Sequence, residues 1–237
     1  MDEKKVENLF DNISARYDRA NYFISLGLER YWRKVFLSFI DGSERKALDA
    51  CCGTGFSTFS IAGKLKGQDA SITGVDFSNE MLEAAKKSLS VIKKRSSSKN
   101  FVKINFARMD ATDLEFSNES FDLTTVVFGI RNVKDRLKAL EEFYRTSQEN
   151  AKLLIMEFNF PKNRFFSPIY SLYLKHIMPF IGGLITGNKG AYKYLFETIK
   201  AFPSQEEFAE LINESGWKII EIKSLSFKTC SIYFAQK

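Results

Sequence analysis

Between residues 46 and 160, short apolar runs alternate with stretches of helical period, and no other feature limits the fold of this chain as strongly. KALDAC (46–51), ASITGVDF (70–77), FVKINFA (101–107), FDLTTVVFG (121–129) and AKLLIMEFNF (151–160) lack helical spacing and read as strands. FSTFSIAGKL (56–65), NEMLEAAKKSLSVIKK (79–94) and VKDRLKALEEFYRTS (133–147) read as the helices between them. In the second helix Met81, Leu82, Ala85 and Leu89 share a face, and Ser78 is placed to cap it. Strands that alternate with helices build a parallel sheet covered on both faces, with right-handed crossovers. The expectation is therefore an α/β fold with a doubly wound sheet. A capped helix at SQEEFAELINESGW (204–217) and the strands KIIEIKSLSF (218–227) and TCSIYFAQ (229–236) bring the strand count to about seven.

The flanking segments differ. Residues 2–40 read as helical: Leu9, Phe10 and Ile13 fall at i, i+1 and i+4, with Asn12 or Ser14 as a cap. Tyr31, Val35 and Phe39 repeat every four residues, which predicts one apolar helix face. FFSPIYSLYLKHIMPFIGGLIT (165–186) is long enough to span a bilayer but contains Lys175, His176, Pro168, Pro179, Gly182 and Gly183. A helical cap over the ligand-binding edge of the sheet is expected there instead. No internal repeat or domain-length linker interrupts the chain. One domain over 1–237 is expected: a helical segment at 1–40, a cofactor-binding core at 46–160, the cap at 161–200, and a C-terminal helix and hairpin at 201–237.

In such sheets ligands bind where strand C-termini meet the following loops. Every chemically suggestive motif sits at one of these ends. The first strand ends in LDACCGTG, in which Gly53 and Gly55 allow a sharp turn and a close backbone approach. Thr58 stands where a dinucleotide motif needs its third glycine, and no Gly-Lys-Ser/Thr follows as in a P-loop. A tight turn alone also explains a Gly-x-Gly. Asp76 ends the second strand and can accept from both hydroxyls of a ribose, as at NAD or S-adenosylmethionine sites; capping the next helix is its structural alternative. Asp49 is a carboxylate inside a strand, costly to bury without a cation or donors. Asp110 and Ala111 end the third strand, where a carboxylate can meet an adenine amine and a small residue admits the ring; a surface turn is the alternative. Together these residues suit a positively charged sulfonium better than a pyrophosphate, which would want a helix N-terminus facing it.

Adjacent Cys51 and Cys52 are expected to be small, buried strand-end residues. The third cysteine is Cys230, no C-x-x-C occurs, and His176 is the only histidine, so no metal site is expected. The odd cysteine count and an N-terminus without an apolar h-region suggest a reducing cytoplasm. The net charge is +6, with a cluster at Lys86, Lys87, Lys93, Lys94, Arg95, Lys99 and Lys103. That run reads as a solvated helix face, with a membrane-surface patch as its competitor. Phe is abundant at 23 residues, enough to fill a core and still line an apolar ligand site.

LDACCGTG, GVDFSNEML and MDATDLEF resemble the Rossmann-like class I S-adenosylmethionine methyltransferases. YDRANYFISLGLERYWR (17–33), FGIRNVKD (128–135), IMEFNFP (155–161) and YKYLFETIKAFP (192–203) resemble, more narrowly, the ubiquinone/menaquinone biosynthesis C-methyltransferases, over nearly the whole chain. The resemblance implies S-adenosylmethionine as cofactor and methylation of a ring carbon on a reduced, prenylated, demethylated quinone. It implies Thr54, Asp76, Asp110 and Ala111 as cofactor contacts, beside Asp49, Gly53 and Gly55 of the loop. It implies Arg131 and Asn132 as catalytic residues: Arg131 steadies a developing phenolate and Asn132 orients the ring oxygen. Tyr17 and Asp18 would close over the site, and Tyr192 and Tyr194 would line the substrate pocket or pack in the core.

The chain departs from the family pattern at several positions. Ala20 replaces Met, Glu29 replaces His, SQENA replaces a Lys-Pro-Gly-Gly turn, and Asn159 and Val127 stand where or near where Ser is usual. FKTC and Tyr233 replace Gly-Gly and a His near the C-terminus, which opens the identity of the acceptor. The leading expectation is a cytoplasmic quinol methyltransferase, peripheral at the inner face of the membrane, with no nucleic-acid partner and with a homodimer left open. Another phenolic, lipid or metabolite acceptor is the alternative, and a non-catalytic cofactor-binding accessory protein is a third reading. No base-flipping motif follows the fourth strand, which argues against nucleic acid.

Overall fold

A computed structural model describes residues 25, 27–66, 69–95, 102–186 and 189–237. The calls on Leu9, Phe10, Asn12, Ile13, Ser14, Tyr17, Asp18, Ala20 and Lys99 lie outside these residues. The described chain opens with α1 (Leu28–Leu37), β1 (Lys46–Ala50), α2 (Phe56–Ala62), β2 (Ser71–Asp76), α3 (Asn79–Arg95) and β3 (Lys103–Arg108). β4 (Phe121–Val127), a 3₁₀ turn (Ile130–Asn132), α4 (Arg136–Thr146) and β5 (Ser147–Phe158) follow. Then come α5 (Phe166–Leu172), a π turn (Tyr173–Ile177), α6 (Met178–Thr186), α7 (Lys189–Ala201), α8 (Gln205–Glu214), β6 (Lys218–Leu225) and β7 (Cys230–Gln236).

The strands form one sheet in the order β3-β2-β1-β4-β5-β7-β6. β1 to β5 pair in parallel, while β7 runs antiparallel between β5 and β6. Strand order reverses between β1 and β4, so a crevice opens at their carboxyl ends. Side chains alternate across the sheet. On β5, Leu153 and Ile155 join one core with Phe143, Phe208 and Trp217, whereas Leu154 and Met156 join the other with Trp32, Phe36 and Ile61.

All seven expected strands are present, and two differences lie at element ends. α4 begins at Arg136 because Asp135 caps it, accepting a hydrogen bond from Lys138 N at 3.0 Å. β5 begins at Ser147, ahead of the expected Ala151, because Ser147 still pairs with Phe121 across an irregularity in the ladder. Asn150, in the altered SQENA turn, takes φ 62°, a conformation asparagine tolerates well. The 165–186 segment stays helical from Phe166 to Thr186 but is interrupted by a π turn at Tyr173–Ile177: Pro179 cannot donate a backbone bond and crowds the preceding turn, and the helix widens there. Among the described residues no helix is long and apolar enough to cross a membrane.

The buried face of α1 is one residue along from expectation. Trp32, Phe36 and Ile40 are buried, while Tyr31 is exposed and Val35 and Phe39 only pack at the edge. Period four fits both triplets; Trp32 wins because its ring meets Phe128 and Phe158 and its indole N–H donates to Ser226 Oγ at 2.8 Å. On α3, Met81, Leu82 and Ala85 are buried, and Ser78 Oγ accepts from Met81 N at 3.1 Å. Lys86, Lys87, Lys93 and Lys94 occupy its solvent-exposed side.

Candidate active site

The loop after β1 turns through left-handed backbone at Cys51 (φ 55°), Gly53 (φ 54°) and Gly55 (φ 80°). Three of its amides are consumed internally. Cys52 N–H donates to Val75 O and Gly55 N–H to Cys52 O, both at 3.0 Å, and Gly53 N–H donates to Asp76 Oδ2 at 2.8 Å. A phosphate cradle needs such amides aimed at the ligand, so the pyrophosphate reading loses these three donors. Gly55 is structural: a Cβ there would press on Phe106, Ala85 and Phe59 at 3.0–3.1 Å. A Cβ on Gly53 would instead meet nothing within 4 Å, which is the room a ligand needs for close approach to the loop.

A cavity of about 830 Å³ lies over this loop, at the carboxyl ends of β1, β2 and β4. Gly53, Thr54, Asp76, Asp110, Ala111, Arg131, Asn132 and Tyr194 all line it, as do Val75, Phe77, Met81 and Met109. Its volume is in the range of small-molecule sites. Asp76 is buried and held from both sides, its Oδ1 accepting from Ser78 N at 3.0 Å. Asp110 Oδ1 accepts from Thr112 N and Oγ1, each at 2.8 Å, so its carboxylate shapes the turn as well as the wall. Asp113 and Glu115 add negative charge on that side. Acidic groups, apolar walls for a flat base and a glycine with open space above it suit a cationic nucleoside such as S-adenosylmethionine.

Three expected site residues do not line the cavity. Asp49 is fully buried beneath it, accepting from Thr58 Oγ1 at 2.6 Å and Thr125 Oγ1 at 2.8 Å. Burial pushes its carboxyl up to about 6, against the pull of those two hydroxyls. Gly55 turns the chain into α2. Tyr192 packs into the cap's own core with Leu174, Met178 and Ile199. Helical geometry separates it from Tyr194, which faces the cavity and donates to Asn132 Oδ1 at 3.3 Å. Cys52 is buried as expected, Cys51 only half-buried, and both reach the cavity wall; burial raises both thiols well above their usual range.

The opposite end of the cavity is basic. Arg131 Nη1 pairs with Glu157 Oε1 at 2.8 Å and also donates to the Phe128 carbonyl. Glu157 Oε2 accepts from Arg131 N at 3.2 Å, Oε1 accepts from Phe158 N at 2.9 Å, and both side chains are sealed from water. Arg136 donates to Arg131 O at 3.0 Å and lies 5.4 Å from the Phe202 ring. Its Nε makes no hydrogen bond, and no carboxylate among the described residues forms an ion pair with it. Burial pushes the Tyr194 hydroxyl up, and Arg131 and Arg136 pull it back. From α1, Arg33 donates to Ser57 Oγ at 2.7 Å and pairs with Glu29 at 2.6 Å. The departure at Glu29 thus supplies the carboxylate that holds a cationic wall residue.

Sequence reasoning missed Arg33, Arg136 and Glu157. Glu157 carried the same signal as Asp49, a carboxylate within an apolar strand run. Two other departures meet each other away from the site: Asn159 donates to Ser231 Oγ, and Tyr233 lies 3.5 Å from Asn159 Oδ1 within the core. Neither lines the cavity, whereas Val127 does.

The ubiE/COQ5 methyltransferase family matches residues 1–237. The chain is 38% identical over 234 residues to the "Ubiquinone/menaquinone biosynthesis C-methyltransferase UbiE" of Rickettsia felis, covering 98% of this chain and 92% of that protein. It is 34% identical over 235 residues to the "Demethylmenaquinone methyltransferase" of Bacteroides fragilis, covering 99% and 93%. In fold it is similar to magnesium protoporphyrin IX methyltransferase from Synechocystis, with TM-score 0.68 at 16% identity and all of both chains covered. A SAM-dependent methyltransferase from Aquifex aeolicus is similar with TM-score 0.62 at 16% identity over 86% of this chain and 88% of that one. The chain belongs to the ubiE/COQ5 methyltransferase family and is an S-adenosylmethionine-dependent methyltransferase of the class I fold.

Proposed function

We propose that this protein methylates a ring carbon of a reduced, prenylated, demethylated quinone: demethylmenaquinol, or the equivalent ubiquinone precursor. The observation that carries the reading is the full-length family match, with relatives whose names state this chemistry. S-adenosylmethionine, when bound, supplies an electrophilic methyl on a cationic sulfur and departs as a neutral thioether. The ring C–H is replaced by C–CH₃, and one proton leaves the ring.

The residues of the chain then have separable tasks. Asp76, Asp110, Ala111, Gly53 and Thr54 hold the cofactor, with Asp49 and Gly55 shaping the loop from below. Asn132, steadied by Tyr194, accepts from a quinol hydroxyl and orients the ring. Arg131 favours the ionised quinol, but its charge is offset by Glu157, so it also fixes the loop that presents Asn132. Arg136 has no carboxylate partner among the described residues, and it supplies the positive charge that a phenolate oxygen needs at this end. Holding the two reactants in line lowers the barrier further.

The altered C-terminus favoured a different acceptor only while its position was unknown. Thr229, Cys230 and Tyr233 are buried and absent from the cavity wall, so they give no support to that alternative. The protein is read as one domain over 1–237, cytoplasmic and peripheral to the membrane that holds its substrate. The test is transfer of tritium from methyl-labelled S-adenosylmethionine into reduced demethylmenaquinone. Label in the quinone is expected; none, with cofactor binding intact by calorimetry, refutes the acceptor. Arg136→Gln should lower kcat and Arg136→Lys should restore part of it.

A further inference from the structure

The cap carries an outer face that the described residues leave uncovered. Phe165, Ile169 and Leu172 recur at i, i+4 and i+7 along α5, and Phe165 is 84% exposed. Phe180 and Leu184 recur at i and i+4 on α6, and Leu184 is 72% exposed. Phe227, on the β6–β7 turn, is 81% exposed, and its ring lies 5.2 Å from that of Phe166, so the turn extends the same apolar surface. These residues are not core side chains left loose at an edge. The opposite side of the same helices is packed: Leu174 and Met178 are buried against Tyr192 and Ile199 of α7. Large exposed apolar patches on soluble domains mark interaction sites.

Charge selects the partner. From Phe158 to Phe196 the chain has no Asp or Glu, while it carries Lys162, Arg164, Lys175, Lys189 and Lys193. Lys162, Arg164 and Lys175 are exposed among the apolar residues, and Lys228 is exposed beside Phe227. Glu207 of α8 lies near enough to Lys162 to feel its charge, but the cap itself contributes no acid, and an apolar face with a basic rim is the pattern of a segment lying in the interface of an anionic bilayer. A second copy docked on the same face by a two-fold axis would set this basic rim against itself.

We infer that the outer face of α5, α6 and the β6–β7 turn docks on an anionic lipid bilayer. The inference rests on the reading of the acceptor as a bilayer-soluble quinol and adds where the membrane meets the protein. The placement also serves the site. α7, which packs against the inner side of this cap, carries Tyr194 and Thr198 to the cavity wall. A tail can then stay in the bilayer while the ring reaches Asn132.

The experiment is co-flotation of the full chain with vesicles of phosphatidylcholine alone or mixed with phosphatidylglycerol, with and without salt. Binding to the mixed vesicles that weakens with salt is expected. The triple variants Phe165→Ser/Leu184→Ser/Phe227→Ser and Lys162→Glu/Arg164→Glu/Lys175→Glu should each lose about tenfold or more in vesicle affinity, since each basic side chain near an anionic surface is worth about fivefold. Both should keep wild-type methylation of a short-tailed quinol in detergent and lose methylation of a long-tailed quinol in vesicles. Wild-type protein that ignores anionic vesicles, or variants that bind as well as wild type, would overturn the inference. So would variants whose only change is conversion of a dimer to a monomer, by sedimentation velocity, which makes the face a self-interface. If wild-type protein floats with vesicles but methylates no quinol, the acceptor assignment fails and the docking surface stands.

Discussion

Replacing Glu157 by Gln should cost this protein about 3 kcal/mol of folding stability, toward the lower end of the range for breaking a buried ion pair. The pair is sealed, with side-chain exposures of 2% for Arg131 and 0% for Glu157, so water cannot take over the lost role. Glutamine preserves volume but has one acceptor oxygen where the carboxylate uses two. Oε1 serves Arg131 Nη1 and Phe158 N, and Oε2 serves Arg131 N. Either orientation of the amide therefore puts a donor against a donor, beside a guanidinium left without its counter-charge. Two supports survive and keep the cost near 3 kcal/mol rather than 5: the Phe128 carbonyl, and the Phe158 ring 5.4 Å from the guanidinium carbon. The double variant Arg131→Met/Glu157→Met removes both charges and should cost less than the single change. Urea unfolding followed by fluorescence suits the test, because Trp32 and Trp217 sit in cores on opposite faces of the sheet and report on two-state behaviour together. Glu157→Gln within about 0.5 kcal/mol of wild type, or a double variant as unstable as the single one, would refute the reasoning.

Two more outcomes follow from the same loops. Asp49 is protonated more readily in the folded chain, at about 6, than its ordinary value of 3.8 allows. Its contribution to stability is therefore complete below about pH 4 and lost as pH rises through 6, roughly 3 kcal/mol in all. Asp49→Asn should flatten that loss and leave the protein equally or more stable at pH 7.5, as read from urea midpoints at pH 4.5 and 7.5; an unchanged pH slope counts against it. Gly129→Ala would overlap Cys51 Cβ across the gap between the β1 and β4 loops and should cost about 1–3 kcal/mol. Cys51→Gly removes the opposing atom and relaxes a left-handed residue, so the pair together should be more stable than Gly129→Ala alone; additive losses in thermal melts would exclude that contact.

What the sequence determined by itself was periodic or local. Apolar runs without helical period placed seven strands, because burial on both faces of a parallel sheet demands them. Glycines, caps and strand-end carboxylates marked the edge where a cofactor fits, and the motifs identified the family. Tertiary structure decided what each polar residue faces. Asp49 and Asp76 are alike as strand carboxylates, yet one lies under the loop against two threonines and the other on the cavity wall. Tyr192 and Tyr194 differ by two positions on one helix, enough to send one into the cap's core and the other to Asn132. Asn159 and Tyr233 were separate departures in sequence and neighbours in the core. Arg131 and Glu157 find each other only because β4 and β5 are adjacent in the sheet. Pairings between residues far apart in the chain depend on strand order and on which side chains point together, and a one-dimensional pattern carries neither.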